Sequence, residues 1–213
     1  MAETELLGLL APDRRLALSY APRAARCLFL GLYALDARLG TAVRTAREPA
    51  LGQIKLAWWR ERIAENPAQR PRGEPVLGAL AAWGESGAAL TALIDGWEQQ
   101  LGEEPTSTES IRAFTQGRGE ACAALAGLLG ADPIMANRAG RGWALLDLGA
   151  LQGPSAGLRA VTDESDWQLP KLPRALRPLS VHFGLAQRTR DREFAVGGIG
   201  DLLVAMRLGL LGI

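Results

Sequence analysis

Four acidic side chains, Asp36, Asp95, Glu98 and Asp147, are the residues whose type and placement come nearest to catalytic or cation-binding chemistry. Asp95 and Glu98, in Leu-Ile-Asp-Gly-Trp-Glu at 93–98, stand three apart and share one helix face. They could chelate one cation or receive a basic partner; the plainer reading is a pair of surface acids matched by arginine. Two carboxylates alone make a weak Mg²⁺ site, because that ion demands an octahedral shell of hard oxygens. Other chemistries have less behind them. His182 is the single histidine, with no Ser or Cys marked as its nucleophile, so a triad is disfavoured and a surface or satisfied core histidine is expected. Gly197-Gly198-Ile199-Gly200 follows no strand and precedes no Lys-Ser/Thr, which makes it a helix break and not a phosphate loop.

Aromatic and basic residues supply a second set of candidates. Tyr33, Trp58 and Trp59 could line an apolar pocket or serve as ordinary core, since large rings bury much area either way. Arg60 and Arg62 flank the tryptophans and could meet an anionic head group; the alternative is pairing with Glu61 and Glu65.

These residues need helices to position them. Ala and Leu dominate, β-branched residues are sparse, and apolar positions recur at helical spacing. Prolines at 12, 22, 49 and 173 mark helix starts, where a missing N–H costs nothing. The stretch after Pro22 sets Leu28, Leu32, Leu35 and Leu39 on one face and reads as a buried central helix. The helix from Pro49 is expected to turn Leu51, Ile54 and Trp58 inward and Lys55, Arg60, Arg62 and Glu65 outward. Residues 66–75 read as a loop. Helices follow near 76–83 and 88–101, then a long one over 107–130 opened by a Thr106/Glu109 capping box. Another runs from 133 to about 151, the turn-rich segment 153–173 reads as a linker, and helices resume at 174–192 and 199–211. No internal repeat and no sustained heptad is present, so a solenoid or long coiled coil is disfavoured. One all-α domain over 1–213, a single compact helical bundle, is the expectation.

Composition narrows the partners. Charge is close to balanced, 24 basic against 23 acidic residues, which leaves no global field for a nucleic acid and no basic stripe to bind one. It is unevenly spread: residues 73–133 hold nine acidic and two basic side chains, and the flanks are net basic. Cys27 and Cys122 lack the spacing of a zinc site or a disulfide framework, which points to a reducing compartment. The N-terminus carries Glu3 and Glu5 where a signal peptide is basic, and no unbroken apolar run reaches about 18 residues, so neither a leader nor a spanning helix is expected. The stretch from Ile199 to Ile213 is too short to cross a bilayer and amphipathic enough to lie on one, or to close the core. A cytoplasmic location, with peripheral contact at the inner face of the membrane, follows from this.

Read in order, Leu-Ser-Tyr-Ala-Pro at 18–22, Leu-Tyr-Ala-Leu-Asp at 32–36, Ile-Lys-Leu-Ala-Trp-Trp-Arg-Glu-Arg-Ile at 54–63, Leu-Ile-Asp-Gly-Trp-Glu at 93–98 and Leu-Pro-Lys-Leu-Pro-Arg-Ala-Leu-Arg-Pro-Leu at 169–179 resemble the squalene/phytoene synthase family. The resemblance implies an all-α bundle of the trans-isoprenyl diphosphate synthase type. In active members its central cavity couples two prenyl diphosphates head to head, using Mg²⁺ held by two aspartate-rich motifs. Carried onto this sequence, the first motif falls on Gly40, Thr41 and Arg44, the family's preceding arginine is Ala37, and Asp36 stands before it. The second motif, after Gly142-Trp143-Ala144, puts Gln152 and Gly153 where an Arg-Asp pair is expected; Asp147 is out of register, and Asp163, Glu164 and Asp166 lie in the linker.

With both motifs missing, the chain is similar to the shortened, non-catalytic branch that includes the assembly factor of respiratory complex I. The resemblance then implies a scaffold with a protein partner, membrane association and a lipid-sized cavity, with no cofactor and no metal. The alternatives are a Mg²⁺-dependent prenyl diphosphate transferase, in which Asp36, Asp95, Glu98 and Asp147 converge on one cavity, and an isoprenoid- or lipid-binding module without turnover.

Overall fold

The computed structural model describes residues 2–71, 73–102, 104–192 and 194–212. Met1 and Ile213, the outer ends of the two terminal stretches read above, lie outside the described residues. The elements are α1 (Ala2–Leu9), α2 (Pro12–Ser19), α3 (Arg23–Arg44), α4 (Pro49–Ala64), α5 (Pro75–Ala79), α6 (Thr91–Glu98), α7 (Thr108–Leu128), α8 (Pro133–Gln152), α9 (Ala156–Asp163), α10 (Arg177–Thr189) and α11 (Ile199–Leu210), joined by short 3-10 turns; no strand occurs among the described residues. Proline stands in the first turn of α2, α4, α5, α8 and α10, as its fixed φ and absent donor favour.

The core is built around α3. Phe29, Leu32, Tyr33, Leu35, Asp36 and Leu39 are fully buried, and the helix is packed by α1, α2, α4, α5, α6 and α7. Trp83 ties the chain between α5 and α6 to it by donating its indole N–H to the Leu28 carbonyl at 3.1 Å. Two glycines allow close helix crossings at α7. A Cβ at Gly117 of α7 would lie 2.1 Å from the Ala92 carbonyl oxygen of α6, and one at Gly140 of α8 would lie 2.7 Å from Cys122 Sγ of α7. Their absence lets α6 and α8 press onto α7, and burial moves the Cys122 thiol up to about 12.

Several expectations are corrected by packing. On α4, Gly52, Leu56, Trp59 and Ile63 are buried, while Leu51, Ile54 and Trp58 are exposed. The helix is rotated one residue, ~100°, from the expected face. It is apolar on two stripes at once, and the stripe containing Gly52 wins because Leu101 sits where a Cβ would be. The long α7 is capped by Ser107, whose hydroxyl accepts the Ser110 N–H at 3.2 Å, instead of by Thr106 with Glu109. The linker at 153–173 contains α9, capped by Ser155 and held by buried Leu158 and Val161.

The chain from 75 to 101 also departs from expectation. It is one helical stretch long and apolar enough, by length and composition, to cross a membrane. Gly84, at φ 53° and ψ −136°, breaks it, and Val76, Leu80, Trp83, Leu90, Ile94 and Trp97 face the core.

Candidate functional site: a buried arginine–aspartate quartet beside a cavity

Four helices each send one charged side chain to the centre of the bundle. Asp36 comes from α3, one turn after Tyr33; Arg14 from the first turn of α2; Arg118 from α7, one turn after Phe114; Asp147 from α8, one turn after Trp143. Helical spacing therefore places each aromatic beside the charge that follows it. Arg118 and Asp36 are both fully buried. Arg118 Nη2 donates to Asp36 Oδ1 at 2.8 Å and Oδ2 at 3.0 Å, and its Nη1 donates to Asp147 Oδ2 at 2.6 Å. Arg14 repeats the pattern from the other side, at 2.7 Å to Asp36 Oδ2 and 2.5 Å to Asp147 Oδ2. Trp97 Nε1 supplies a further donor to Asp36 Oδ1 at 2.9 Å.

The result is an alternating quartet in which each carboxylate meets both guanidiniums. Arg118 is sandwiched by rings, 4.2 Å from the Trp143 centroid and 4.7 Å from that of Phe114, and Arg14 lies 5.2 Å from Trp143. Burial alone would raise the Asp147 carboxyl, but Arg14 and Arg118 outweigh it and hold it below the usual carboxylate range. Burial likewise works against the Arg14 charge, and the attraction of Asp147, Asp36 and Asp13 more than offsets it.

Behind the quartet, His182 of α10 is fully buried and its Nε2 shares a hydrogen bond of 2.9 Å with the Tyr33 hydroxyl. The imidazole stacks on Trp143 at 5.0 Å between centroids. Burial drives its pKa down to about 3, so the ring is neutral near neutral pH. Burial also lifts the Tyr33 phenol well above its ordinary value. His182 Nδ1 has no hydrogen-bond partner among the described residues and lies 3.9 Å from Asp13 Oδ2. Burial, followed by the nearby Asp147, raises the Asp13 carboxyl.

A cavity of about 600 Å³ opens on the quartet. Its charged wall is Asp13, Arg14, Asp36, Arg44 and Asp147; Leu9, Leu146, Leu151, Val196 and Trp97 are among its apolar groups. Arg44 folds back across Gly40, where a Cβ would stand 2.7 Å from its Nη1 and 2.9 Å from the Trp97 ring.

The residues named from sequence separate into two places. Asp36 and Asp147 meet at the cavity. Asp95 and Glu98 do not join them: Arg60 Nη2 binds both, at 2.5 Å and 2.8 Å, on the α4–α6 surface. That pairing also occupies one of the two head-group candidates, and Arg62 is engaged by Glu65 at 2.7 Å and by Glu61 at 3.4 Å. The convergence of four carboxylates is thus corrected to two. Tyr33 is core and bonds His182, while Trp59 is buried and Trp58 exposed on α4, edge to face with each other; the cavity is lined by other residues. Glu164 and Asp166 are bound by Arg112 and Arg138 at the surface. Reading the sequence assigns no role to Arg14 or Arg118 and names Arg44 only as a residue standing at the first aspartate-rich motif. The only local signal for Arg118 is its setting, Gly-Arg-Gly in a run of small residues, which suits a large side chain buried between close helices.

The family model for squalene/phytoene synthase matches residues 11–117. The chain belongs to the squalene/phytoene synthase family. No curated protein and no solved structure matches it. The all-α bundle is the isoprenoid-synthase type of fold that squalene/phytoene synthase membership implies. The matched segment carries Arg14 and Asp36 and ends one residue before Arg118, so half of the quartet and His182 lie beyond it. Mg²⁺, which the family implies, does not fit the acids present. Both Asp36 oxygens and Asp147 Oδ2 are occupied by guanidinium donors, and among the described residues no group of three or more His, Cys, Asp or Glu side chains is placed to hold a metal.

Proposed function

We propose that this squalene/phytoene synthase family chain is a non-catalytic, single-domain member, close to the shortened branch that includes complex I assembly factor homologues, acting through a protein partner. The observation that carries the reading is the quartet. An ionising diphosphate needs cations presented to it through free carboxylates; here Asp36 and Asp147 each already bond Arg14 and Arg118. Gly40, Thr41 and Arg44 stand where the first aspartate-rich motif is expected, and Arg44 brings a positive charge to that wall.

Two surfaces support an interaction role. The exposed stripe of Leu51, Ile54 and Trp58 on α4 offers apolar area to a partner. On α11, Ile199, Leu202, Leu203, Met206 and Leu210 are exposed along one face, with Arg188 and Arg192 held beside its first turn by Asp201. Apolar and basic groups together suit peripheral contact with an anionic leaflet, in keeping with a cytoplasmic chain at the inner face of a membrane.

The test is incubation of the purified protein with farnesyl or geranylgeranyl diphosphate and Mg²⁺, with diphosphate release measured. No release above the protein-free rate is expected. Turnover at enzyme-like rates removes the reading and returns the transferase alternative.

A further inference from the structure

The charges around the cavity balance in a way that selects its occupant. Three carboxylates, Asp13, Asp36 and Asp147, face three guanidiniums, Arg14, Arg44 and Arg118. Two of each are locked into the quartet, which leaves Asp13 and Arg44 outside it. Arg44 has no ion-pair partner among the described residues. A multiply charged head group would find one guanidinium outside the quartet and the Asp13 carboxyl as well, so part of its charge would stay uncompensated. A singly charged head can be matched by Arg44 alone, in the planar, two-pronged geometry a guanidinium offers a carboxylate.

Size and polarity fix the rest of the molecule. The apolar lining includes Leu9, Leu146, Leu151 and Val196, of which Leu151 and Val196 are half exposed. The cavity of about 600 Å³ is the size of a site for one small ligand, which suits a single unbranched chain with its head.

We propose that the cavity binds a long-chain monocarboxylate, its chain among Leu9, Leu146, Leu151 and Val196 and its carboxylate on Arg44, without a divalent cation. The inference rests on the non-catalytic reading, since it makes the cavity a binding site and not a reaction chamber. Asp13 limits the site to one negative charge, and the neutral imidazole of His182 behind it adds none.

The experiment is calorimetric titration of the delipidated full chain, in EDTA, with hexadecanoate and with hexadecanol, and separately with farnesyl diphosphate with and without Mg²⁺. Hexadecanoate should bind roughly tenfold or more tightly than the alcohol, as expected for a charge-assisted hydrogen bond. Arg44→Gln should abolish that preference and Arg44→Lys should keep part of it; Arg44 is exposed, so neither change threatens the fold. The diphosphate should bind more weakly than hexadecanoate in both conditions. Equal binding of acid and alcohol, an unchanged preference in Arg44→Gln, or no binding of either overturns the proposal. Diphosphate release in the turnover assay bears on the non-catalytic reading alone, and loss of the carboxylate preference without turnover overturns only the ligand assignment.

Discussion

Arg118 and Asp36 lie 82 residues apart in sequence, are both fully buried, and meet through two hydrogen bonds of 2.8 Å and 3.0 Å. Such a pair adds little net stability, because desolvation offsets most of the attraction, yet either partner alone is costly to keep. Arg118→Met should therefore destabilise the fold by about 3 kcal/mol or more. Asp36→Asn combined with Arg118→Met should cost clearly less than the sum of the single changes. Denaturant unfolding of the four proteins measures the coupling, and strict additivity would show that the pair is not an energetic unit.

His182 gives stability a pH dependence with a definite sign. Its folded pKa, about 3, lies below the unfolded value, so between the two the unfolded chain binds a proton that the folded chain refuses. Stability present above the unfolded histidine pKa, near ~6.5, is lost as pH falls toward 3. Down to about pH 5 this single group should remove about 1.4 kcal/mol per pH unit. Asp147, with a depressed folded pKa, adds its own loss below the ordinary carboxylate range, and Asp13, whose folded pKa is raised, works in the opposite direction above that range. The histidine's share of the slope between about pH 6.5 and 5 is isolated by its own variant. His182→Gln should flatten the slope in that window; an unchanged slope would mean another group carries it.

Two glycines of α7 should respond oppositely to the same substitution. Gly117→Ala places a methyl 2.1 Å from the Ala92 carbonyl oxygen, backbone that cannot swing away, and should cost roughly 1–3 kcal/mol as α6 is pushed off α7. At Gly127 an added Cβ meets nothing within 4 Å, so Gly127→Ala should gain about 0.5–1 kcal/mol of helix stability. Thermal melts of the two variants decide it, and equal effects would contradict the close crossing at Gly117.

The exposed face of α11 is open to a surface test. Leu203→Asp with Leu210→Asp changes side chains that are 59% and 66% exposed, so the melting temperature should stay close to wild type. Co-sedimentation with vesicles containing anionic lipid should fall strongly. Binding that persists in the double variant would move any membrane contact elsewhere.

Much of the fold was legible because it depends on local rules. Proline at first turns, the apolar periodicity of 23–44 and the Gly197–Gly198 break mark helices without reference to what packs on them. The segment 153–173 hid α9, because an eight-residue helix is stable only through Leu158 and Val161 buried against its neighbours. The orientation of α4 was equally hidden: two apolar stripes satisfy the same periodicity, and Leu101, 49 residues later, selects between them.

At the site, the family resemblance read from the sequence found neither aspartate-rich motif at its expected place and left Asp36 and Asp147 as the acids along those helices. It could not say that these two meet or that Asp95 and Glu98 do not, since residues on different helices have no spacing in common. Tertiary structure decided that Arg14 and Arg118 converge on both aspartates while Arg44, at the cavity wall, has no ion-pair partner among the described residues. The physical reason is desolvation: a charge carried into the core must be matched there, and which charge matches it depends on helix packing that no local stretch of sequence contains.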